Sequence, residues 1–275
     1  MNKKYNIGKF FVYIILIGGV GITVFPFIWM ILTSFKSQIE SIKIPITIFP
    51  KEWLIKNYFA VFKAIPFGRM YLNTIINAVV IVSVQLLFCS MAAYAFARLK
   101  FPGKNVIFTI LLSVLMIPSS FFILPQYQII QGLGLLNSLP ALFLPNLFSI
   151  FGTFLLRQFF KSLPDSLEDA ARIDGCNRFM IYYKIMLPLV KSGLVALGIL
   201  TLRFAWNDLM WPLIVNTSEQ KMTLAAGLSS LQGQYVTDYP LMMAGAVMSV
   251  APLLILFAIF QEQFIEGIAL SGVKG

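Results

Sequence analysis

The sequence predicts an all-α, polytopic membrane protein with six transmembrane helices. Hydrophobic residues make up 59% of the 275 residues, whereas charged residues make up only 12%. A soluble domain carries about 25% charged residues. The apolar residues also gather in runs of roughly 20, the length that crosses a hydrocarbon core of about 30 Å as an α-helix. A helix is favoured for each run because it satisfies every backbone hydrogen bond within one segment.

Six segments reach or approach this length, and they are residues 10–32, 71–97, 106–123, 141–160, 193–215 and 241–260. The loops between them are too short to fold alone, so residues 1–275 are predicted to form a single transmembrane domain. Lysines precede the first segment, as in a secretory signal peptide, but its apolar run is too long and no small-residue cleavage pattern follows it. The first segment is therefore expected to remain as a transmembrane anchor.

Basic residues predict which loops face the cytoplasm. Of the 21 Lys and Arg residues, thirteen lie at the two ends of the chain and in the second and fourth loops, and seven lie in the other loops. Cytoplasmic loops carry an excess of Lys and Arg, so both termini are expected to be cytoplasmic. Because these charges flank helices, the net charge of +10 indicates membrane topology and not a nucleic-acid-binding surface. The basic first loop, residues 34–69, is the exception.

Several kinds of chemistry are not expected in this chain. It has no histidine, the commonest metal ligand and proton shuttle, so neither a metal site nor histidine-based catalysis is expected. Cys89 falls in a predicted membrane helix and Cys176 in a cytoplasmic loop, so we expect no disulfide between them. No segment matches the phosphate-binding motif G-x-x-x-x-G-K-[ST], because Gly103-Lys104 is followed by Asn105 and lacks the leading glycine. A nucleotide would have to be bound by another polypeptide.

The fourth loop, residues 161–191, is charged and helix-forming in a chain that is otherwise mostly apolar. Ser166, three residues before Asp169, makes a capping-box pattern, which predicts the start of a helix. Acidic residues at Glu168 and Asp169 favour the positive end of the helix dipole. Gly175 can adopt the left-handed conformation that ends such a helix.

A second helix is predicted directly after this one. Asn177 is a suitable N-cap, and Pro188 is expected to stop the helix. The resulting helix-turn-helix is predicted to present Ala170 and Ala171 together to a groove of another protein. Small side chains permit close approach there, while the flanking charges would determine the register.

The spacing in the fourth loop resembles the signature loop of the membrane subunits of ATP-driven importers. That pattern is an acid, two alanines, three variable residues, a glycine, nine more residues and then Ile-x-Leu-Pro. The matching residues are Asp169, Ala170, Ala171, Gly175, Ile185, Leu187 and Pro188. Asp169 stands where the pattern usually has glutamate. The resemblance implies a coupling loop, residues 161–191, that contacts an ATPase through Glu168, Asp169, Ala170, Ala171, Asp174, Gly175, Ile185, Leu187 and Pro188.

Polar residues in the fifth segment suggest a second site. A charge at the centre of a membrane helix costs at least about 2.5 kcal/mol, so Arg203 and Asp208 are expected to face protein or water. Arg203 and Asn207 are four residues apart and share a helix face, whereas Asp208 lies on another face. We expect Arg203 to support helix packing, and Asn207 and Asp208 to line the transport path.

The residues Trp206-Asn207-Asp208 and Trp211-Pro212 resemble the fifth helix of carbohydrate-importer permeases of the maltose type. The resemblance covers nearly the whole chain, and its other segments are Asn57-Tyr58, Asn73-Thr74, residues 92–98, Pro125-Gln126-Tyr127 and residues 272–275. It implies a MetI-like ABC importer permease fold and a sugar or oligosaccharide as the transported molecule.

The candidate residues of the substrate path are Asn73, Asn77, Trp206, Asn207 and Asp208. An alternative interpretation applies to the amides of the second segment, since Asn73, Asn77 and Gln85 can bond neighbouring helices. The tryptophans also have an alternative role in packing or at the membrane interface.

What the resemblance implies is a transport subunit and not an enzyme, with no catalytic residue and no cofactor of its own. Its partners would be a second, homologous permease subunit, two ATPase subunits that use ATP and Mg, an extracytoplasmic substrate-binding protein and membrane lipid, with no nucleic acid. The expected location is the plasma (inner) membrane of a prokaryote, with several membrane crossings.

Two other transport functions are alternatives. An importer of glycerol phosphate has similar permeases. A secondary transporter driven by an ion gradient would need inverted repeats or a series of membrane-embedded carboxylates, and only Asp208 is available inside a predicted span. A receptor or a structural membrane protein would give no reason for the fourth-loop motif.

Overall fold

The computed structural model describes the backbone of residues 7–233 and 236–272 and the side chains of residues 11–233, 236–259 and 261. Outside the described residues lie Lys3 and Lys4, two of the basic residues used to predict the topology, and the closing Val273-Lys274-Gly275. Within the described ranges every regular element is helical and no strand occurs. The predicted all-α fold class is therefore confirmed.

The α-helices are, in chain order, α1 (Ile7–Ser34), α2 (Gln38–Ser41), α3 (Lys56–Ala64), α4 (Phe67–Arg98), α5 (Lys104–Val114), α6 (Ile123–Gly132), α7 (Leu139–Phe143), α8 (Ile150–Ser162), α9 (Ser166–Ile173), α10 (Arg178–Met180), α11 (Leu187–Leu189), α12 (Lys191–Asn207), α13 (Met210–Val215), α14 (Leu224–Ser229) and α15 (Tyr239–Gly272). Short 3₁₀ turns lie at Ser119–Phe122, Leu144–Asn146 and Glu219–Lys221, and a π-helix lies at Ile181–Met186.

Three continuous helices, α1, α4 and α15, are long and apolar enough to cross a membrane. Three further candidates are bent pairs of helices, and they are Lys104–Val114 with Ser119–Gly132 (96°), Leu139–Asn146 with Ile150–Ser162 (46°), and Arg178–Leu189 with Lys191–Asn207 (76°). The described residues thus contain six candidate spans, the predicted number, if each bent pair is counted as one.

The bends correct two of the predicted segments. The third segment was expected to be one helix over 106–123, but α5 ends at Val114. Pro118 disfavours helical backbone in the residue before it, and a 3₁₀ turn follows it.

The fifth segment was expected to continue to residue 215, but α12 ends at Asn207, and Asp208 is extended. The carboxylate of Asp208 accepts a hydrogen bond from the Trp211 backbone N–H at 3.4 Å. This local bond favours the start of a new helix, α13, over continuation of the old one. The helical part of the segment predicted over 193–215 therefore ends at residue 207, and the helix that carries it, Lys191–Asn207, is bent by 76° from Arg178–Leu189 before it.

The chain divides into two compact units. The first contains the described residues up to Phe67 together with Leu228–Pro252, and it includes α1. None of the apolar span of α1 is buried by the rest of the chain. Its C-terminal end is held, because the Ser34 hydroxyl lies 2.8 Å from the Tyr58 hydroxyl and the Asn57 amide donates to the Ser34 carbonyl at 2.8 Å. The Lys36 ammonium also lies 4.5 Å from the centre of the Trp29 ring.

The second unit contains Gly68–Gly227 and the described residues from Leu253 onward. One of its hydrophobic clusters joins α4, α8, α9, the π-helix and α12. This core cluster consists of Cys89, Ala93, Tyr94, Leu156, Phe160, Ala171, Ile181, Tyr182, Met186, Val190 and Leu197. Because α9 and the π-helix belong to the coupling loop, burial of apolar surface packs that loop directly against α4 and α8.

Candidate coupling and transport sites

The first helix of the coupling loop, α9, begins without the predicted capping box. Ser166 is already the first helical residue, Asp165 occupies the N-cap position, and no side chain caps the helix. The Asp165 carboxylate is instead paired with the guanidinium of Arg98. An ion pair with a residue distant in the sequence therefore replaces the local cap.

The other end of α9 is closed as the sequence predicted. Gly175 has φ +80°, in the left-handed region. The Cys176 N–H donates to the Ala171 carbonyl at 2.9 Å, and the Gly175 N–H donates to the Arg172 carbonyl at 3.0 Å. These two bonds form a Schellman motif. No heavy atom lies within 4 Å of the position that a Cβ at residue 175 would take, so the backbone conformation, and not crowding, favours glycine here.

The second helix begins as predicted and ends differently. The Asn177 side chain accepts a hydrogen bond from the Met180 N–H at 2.8 Å and caps α10. Pro188 was expected to stop this helix, but it lies in the first turn of α11, where its missing N–H is tolerated. The break comes at Val190, which has φ −99° and ψ 21°.

One of the two alanines of α9 is exposed and the other is buried, which corrects the expectation that they form one contact surface. Ala171 is 3% exposed and belongs to the core cluster. Ala170 is exposed. The exposed residues of α9 and its C-cap, called the docking face below, are Ser166, Asp169, Ala170, Arg172, Ile173 and Asp174, and Arg172 pairs with Asp169 at 3.2 Å.

Ile173 is the feature of the docking face that the sequence argument missed. It is 86% exposed, although it is a large apolar residue on a polar helix outside the candidate continuous spans. Its spacing of three residues from Ala170 places both side chains on one face. This spacing in the sequence indicates that Ile173 shares a face with Ala170. The family motif does not indicate it, because position 173 is one of its three variable positions.

The remaining motif residues contribute mainly to packing. Ile185 and Leu187 are partly buried and pack against the core cluster, whereas Pro188 is exposed. The Ile-x-Leu-Pro part of the motif therefore secures the second helix against the bundle.

A buried ionic network lies beneath α9. The Arg98 side chain is only 6% exposed, and its guanidinium pairs with the buried carboxylate of Glu168 at 3.6 Å and with the carboxylate of Asp165, whose side chain is 89% exposed. It also donates to the backbone carbonyls of Phe160, at 2.6 Å, and Leu163. Sequence analysis counted Arg98 only as a loop charge and as part of a family segment.

Glu168 links this network to the rest of α9. Its carboxylate accepts a hydrogen bond from Arg172 at 3.2 Å, one helical turn later. Burial raises the pKa of the Glu168 carboxyl above its usual value, and the guanidinium groups of Arg98 and Arg172 oppose that shift. The carboxyl thus points into the bundle, away from the docking face.

The predicted path residues of α4 are buried. Asn73 is 1% exposed, and its amide donates to the carbonyls of Gln220 and Met222, both at 2.9 Å. Asn77 is 2% exposed. The Asn73 amide therefore attaches the 220–222 segment to α4, and its role in a path stays a prediction.

The path candidates of α12 differ from one another in exposure. Trp206 is 5% exposed and packs edge to face on Tyr71, with ring centroids 5.8 Å apart. Asn207 and Arg203 are both exposed, and the Asn207 amide donates to the Arg203 carbonyl at 2.9 Å. Asp208 is half-buried. The predicted shared face of Arg203 and Asn207 is present, but Arg203 does not pack inside the chain as expected.

Gln85 bonds its neighbours as the alternative interpretation proposed. Its amide donates to the Asn146 carbonyl at 2.6 Å and its carbonyl accepts from the Thr201 hydroxyl at 3.0 Å. Trp211 likewise has a packing role, since its indole N–H donates to the Ala141 carbonyl at 2.8 Å. Among the described residues, no group of three or more His, Cys, Asp or Glu side chains is placed to hold a metal ion.

Comparisons with known proteins identify the relatives of this chain. Residues 85–269 match the family described as binding-protein-dependent transport system inner membrane component. The chain is 39% identical over 257 residues to the arabinooligosaccharides transport system permease protein AraQ of Halalkalibacterium halodurans, covering 92% of each chain. It is 34% identical to the sulfoquinovosyl glycerol transport system permease protein SmoH of Agrobacterium fabrum, covering 91% of this chain and 89% of that protein.

Two further comparisons bear on substrate and fold. The chain is 32% identical to the sn-glycerol-3-phosphate transport system permease protein UgpE of Yersinia pestis, covering 94% of this chain and 95% of that one. The crystal structure of a bacterial ABC transporter involved in the import of the acidic polysaccharide alginate superposes with a TM-score of 0.84 at 23% identity, covering 96% of this chain and 99% of that chain. At this identity the similarity shows the fold, which is the predicted permease fold.

Proposed function

Because the chain belongs to the family of binding-protein-dependent transport system inner membrane components, we propose that it is a permease subunit of an ATP-binding-cassette importer for a sugar or oligosaccharide. It is a multi-pass inner-membrane protein. In the proposal, residues 1–275 act as one transmembrane domain that forms the translocation path with a second, homologous permease. Two separate ATPase subunits use ATP and Mg, and an extracytoplasmic binding protein delivers the substrate.

The observation that carries the coupling role is the docking face of α9. It exposes an isoleucine among charged side chains, namely Asp174 and the paired Asp169 and Arg172, while the side of the helix that carries Ala171 is packed into the core cluster. An exposed apolar side chain on a rigid helix suits the groove of a partner protein. We assign ATPase contact to Asp169, Ala170, Ile173, Asp174 and Gly175, and a supporting role beneath them to Glu168, Ala171, Ile185, Leu187 and Pro188.

The names of the relatives favour a sugar substrate, and one observation supports glycerol phosphate as the second candidate. Arg203 is exposed next to Asn207, and a guanidinium binds phosphate by paired hydrogen bonds. Sugars need hydroxyl-binding amides and aromatic faces instead. The Asn207 amide can bind either a sugar or glycerol phosphate, whereas the Arg203 guanidinium favours the phosphate. Arg203 is therefore the residue that distinguishes the two candidate substrates.

The function is tested by uptake in cells that lack only this gene, complemented with the parent gene. We expect complemented cells to accumulate a radiolabelled arabino-oligosaccharide when ATP is present, and to continue when an ionophore removes ion gradients. Uptake that stops with the ionophore but survives ATP depletion would identify a secondary transporter. Competition by excess glycerol phosphate, without competition by unlabelled sugar, would favour the second candidate.

The proposed orientation predicts a pattern of cysteine labelling. In a background carrying Cys89→Ser and Cys176→Ser, a membrane-impermeant maleimide is expected to label Ser41→Cys and Gln232→Cys in intact cells. It should label Ser166→Cys only after the membrane is opened, because the coupling loop is proposed to face the cytoplasm. As a control, the cysteines at all three positions should react once the membrane is opened. Labelling of position 166 in sealed cells would place the docking face on the wrong side for an ATPase.

Substitutions of Arg203 and Asn207 are predicted to have different effects, the first on assembly of the two-permease complex and the second on passage of the substrate. Since neither side chain is buried in this chain, Arg203→Ala is expected to leave insertion unchanged but to lower recovery of the two-permease complex severalfold. Among the described residues Arg203 forms no ion pair, and a charge in a span is stabilised by a partner, which the proposal places in the second permease. Asn207→Ala should assemble normally and raise the apparent KM for uptake severalfold. Phe204→Ala, at the adjacent exposed position, is the control. Parent-like assembly and uptake in both variants would remove these residues from the path and the subunit interface.

A further inference from the structure

We propose that Arg98 is a positioning residue that makes α4 and the coupling helix α9 move as one rigid unit. This inference rests on the proposed function, in which an ATPase displaces α9. It assigns to one side chain the transfer of that displacement to α4, the helix that carries Asn73 and Asn77.

Three helix ends meet at the Arg98 guanidinium. Arg98 is the last residue of α4. The carbonyls of Phe160 and Leu163 that accept its hydrogen bonds lie in the last turn of α8 and just beyond it. The last carbonyls of a helix have no partner within the regular helix. The guanidinium adds a donor to the Phe160 carbonyl, which also accepts the Leu163 N–H at 3.4 Å, and it donates to the Leu163 carbonyl just beyond the helix.

The same guanidinium reaches the beginning of α9. It pairs with Asp165 at the N-cap position and with Glu168 in the first turn. A guanidinium has five N–H donors in a rigid planar fork. This geometry allows one side chain to determine the orientation of α9 relative to both α4 and α8, which a point charge such as a lysine ammonium cannot do.

Burial of the Arg98 and Glu168 side chains makes their ion pair costly to break. The side chains of Arg98 and Glu168 are 6% and 7% exposed, respectively. Moving α9 away from Arg98 would leave the buried guanidinium without Asp165 and Glu168, whereas Glu168 would keep its pair with Arg172 in the same helix. A displacement of α9 that left Arg98 behind would therefore be costly, and the favoured response is a common movement of α9 and the end of α4.

The core cluster supplies attraction of a different kind. Tyr94 of α4 packs against the rings of Phe160 and Tyr182, with centroid distances of 5.7 and 5.3 Å. Such apolar contacts are not directional, so they permit sliding of one element over another. One directional contact does lie in the cluster, a hydrogen bond between the Ser90 and Tyr182 hydroxyls at 2.8 Å, and it joins α4 to the π-helix and not to α9. The cluster is therefore expected to keep the coupling loop folded when Arg98 is replaced, while α9 loses its own directional link to α4.

Arg157 provides a matched control. Its guanidinium lies 4.1 Å from the centroid of the Phe108 ring, and its Nε donates to the Phe96 carbonyl of α4 at 3.2 Å. It is thus a partly buried arginine on α8 that bonds the same region of α4, but its described contacts are with Phe96 and Phe108 and not with α9.

The test compares Arg98→Gln, Arg98→Lys and Arg157→Gln in the complete importer, reconstituted with its binding protein and substrate. The quantity measured is the number of ATP molecules hydrolysed per substrate molecule transported. For Arg98→Gln we expect retained ATPase subunits and near-parental hydrolysis, with this ratio raised about tenfold, which corresponds to about 1.4 kcal/mol of lost coupling. Arg98→Lys should be intermediate because it restores the charge without the fork, and Arg157→Gln should keep the parental ratio.

Two results would overturn the inference. A parental ratio in Arg98→Gln would show that the guanidinium is not needed for transfer. An equal loss of complex yield, hydrolysis and transport would indicate a structural role only. The proposed function fails in a different way, since the parent complex itself would then lack ATPase subunits or ATP-dependent transport.

Discussion

Replacing Gly175 by proline is expected to abolish ATP-driven uptake while the chain still inserts into the membrane. Residue 175 has φ +80°, whereas proline is restricted to φ near −65°. Proline also lacks the N–H that donates to the Arg172 carbonyl. Both bonds of the Schellman motif would be disturbed, and the docking face would lose the end that holds it in place.

A graded series separates backbone conformation from crowding. Gly175→Asn should retain most uptake, because asparagine tolerates the left-handed region, and Gly175→Ala should fall between asparagine and proline, at a cost of about 1 to 2 kcal/mol. Crowding does not contribute, since a Cβ at residue 175 meets open space. Gly132→Ala, at a helix end without positive φ, is the matched control. Uptake and co-purification of the ATPase are the measurements, and full uptake in Gly175→Pro would refute the assigned role of the loop.

The second large effect is expected for Ile173→Glu. A buried charge in the centre of a protein interface typically costs at least about 2 kcal/mol of binding energy at a hot spot, which corresponds to roughly 30-fold weaker association with the ATPase. Insertion and the fold of the chain should not change, because Ile173 is 86% exposed in this chain. The affinity of the permease complex for added ATPase subunits is the quantity to measure.

The matched control for Ile173→Glu is Ile39→Glu. Ile39 is 78% exposed in α2, on the opposite side of the membrane from the docking face in the proposed topology. The Ile39→Glu substitution introduces the same charge at a similarly exposed isoleucine, so the affinity of the permease complex for the ATPase should stay at the parental value. Equal affinities for both variants would exclude Ile173 from the contact with the ATPase.

Features with a local cause were predictable from the sequence. The number of candidate spans follows from the length of apolar chain that a bilayer requires. Gly175 and Asn177 were assigned correctly because each acts on backbone groups within a few residues of itself. The end of α12 at Asn207 also has a local cause, the bond from Trp211 to Asp208, but hydropathy does not detect it because the apolar run continues through the break.

Features with a distant cause were not predictable. Ser166 looked like a cap, but Asp165 took the N-cap position and paired with Arg98, a partner 67 residues earlier in the chain. Ala171 is buried and Ala170 is exposed because of the elements that pack beneath α9, and these elements are distant in the sequence. A motif of this kind indicates a partner, but it does not indicate which side of the helix meets it.

The exposure of α1 has a consequence for biogenesis. This helix buries none of its apolar span in its own chain, and its C-terminal end is attached through Ser34 and Trp29. Membrane helices can partition into lipid individually before they associate. Insertion of α1 therefore does not have to wait for the synthesis of any later segment, and the emerging chain can acquire its orientation while the bundle that will transport substrate has yet to be translated.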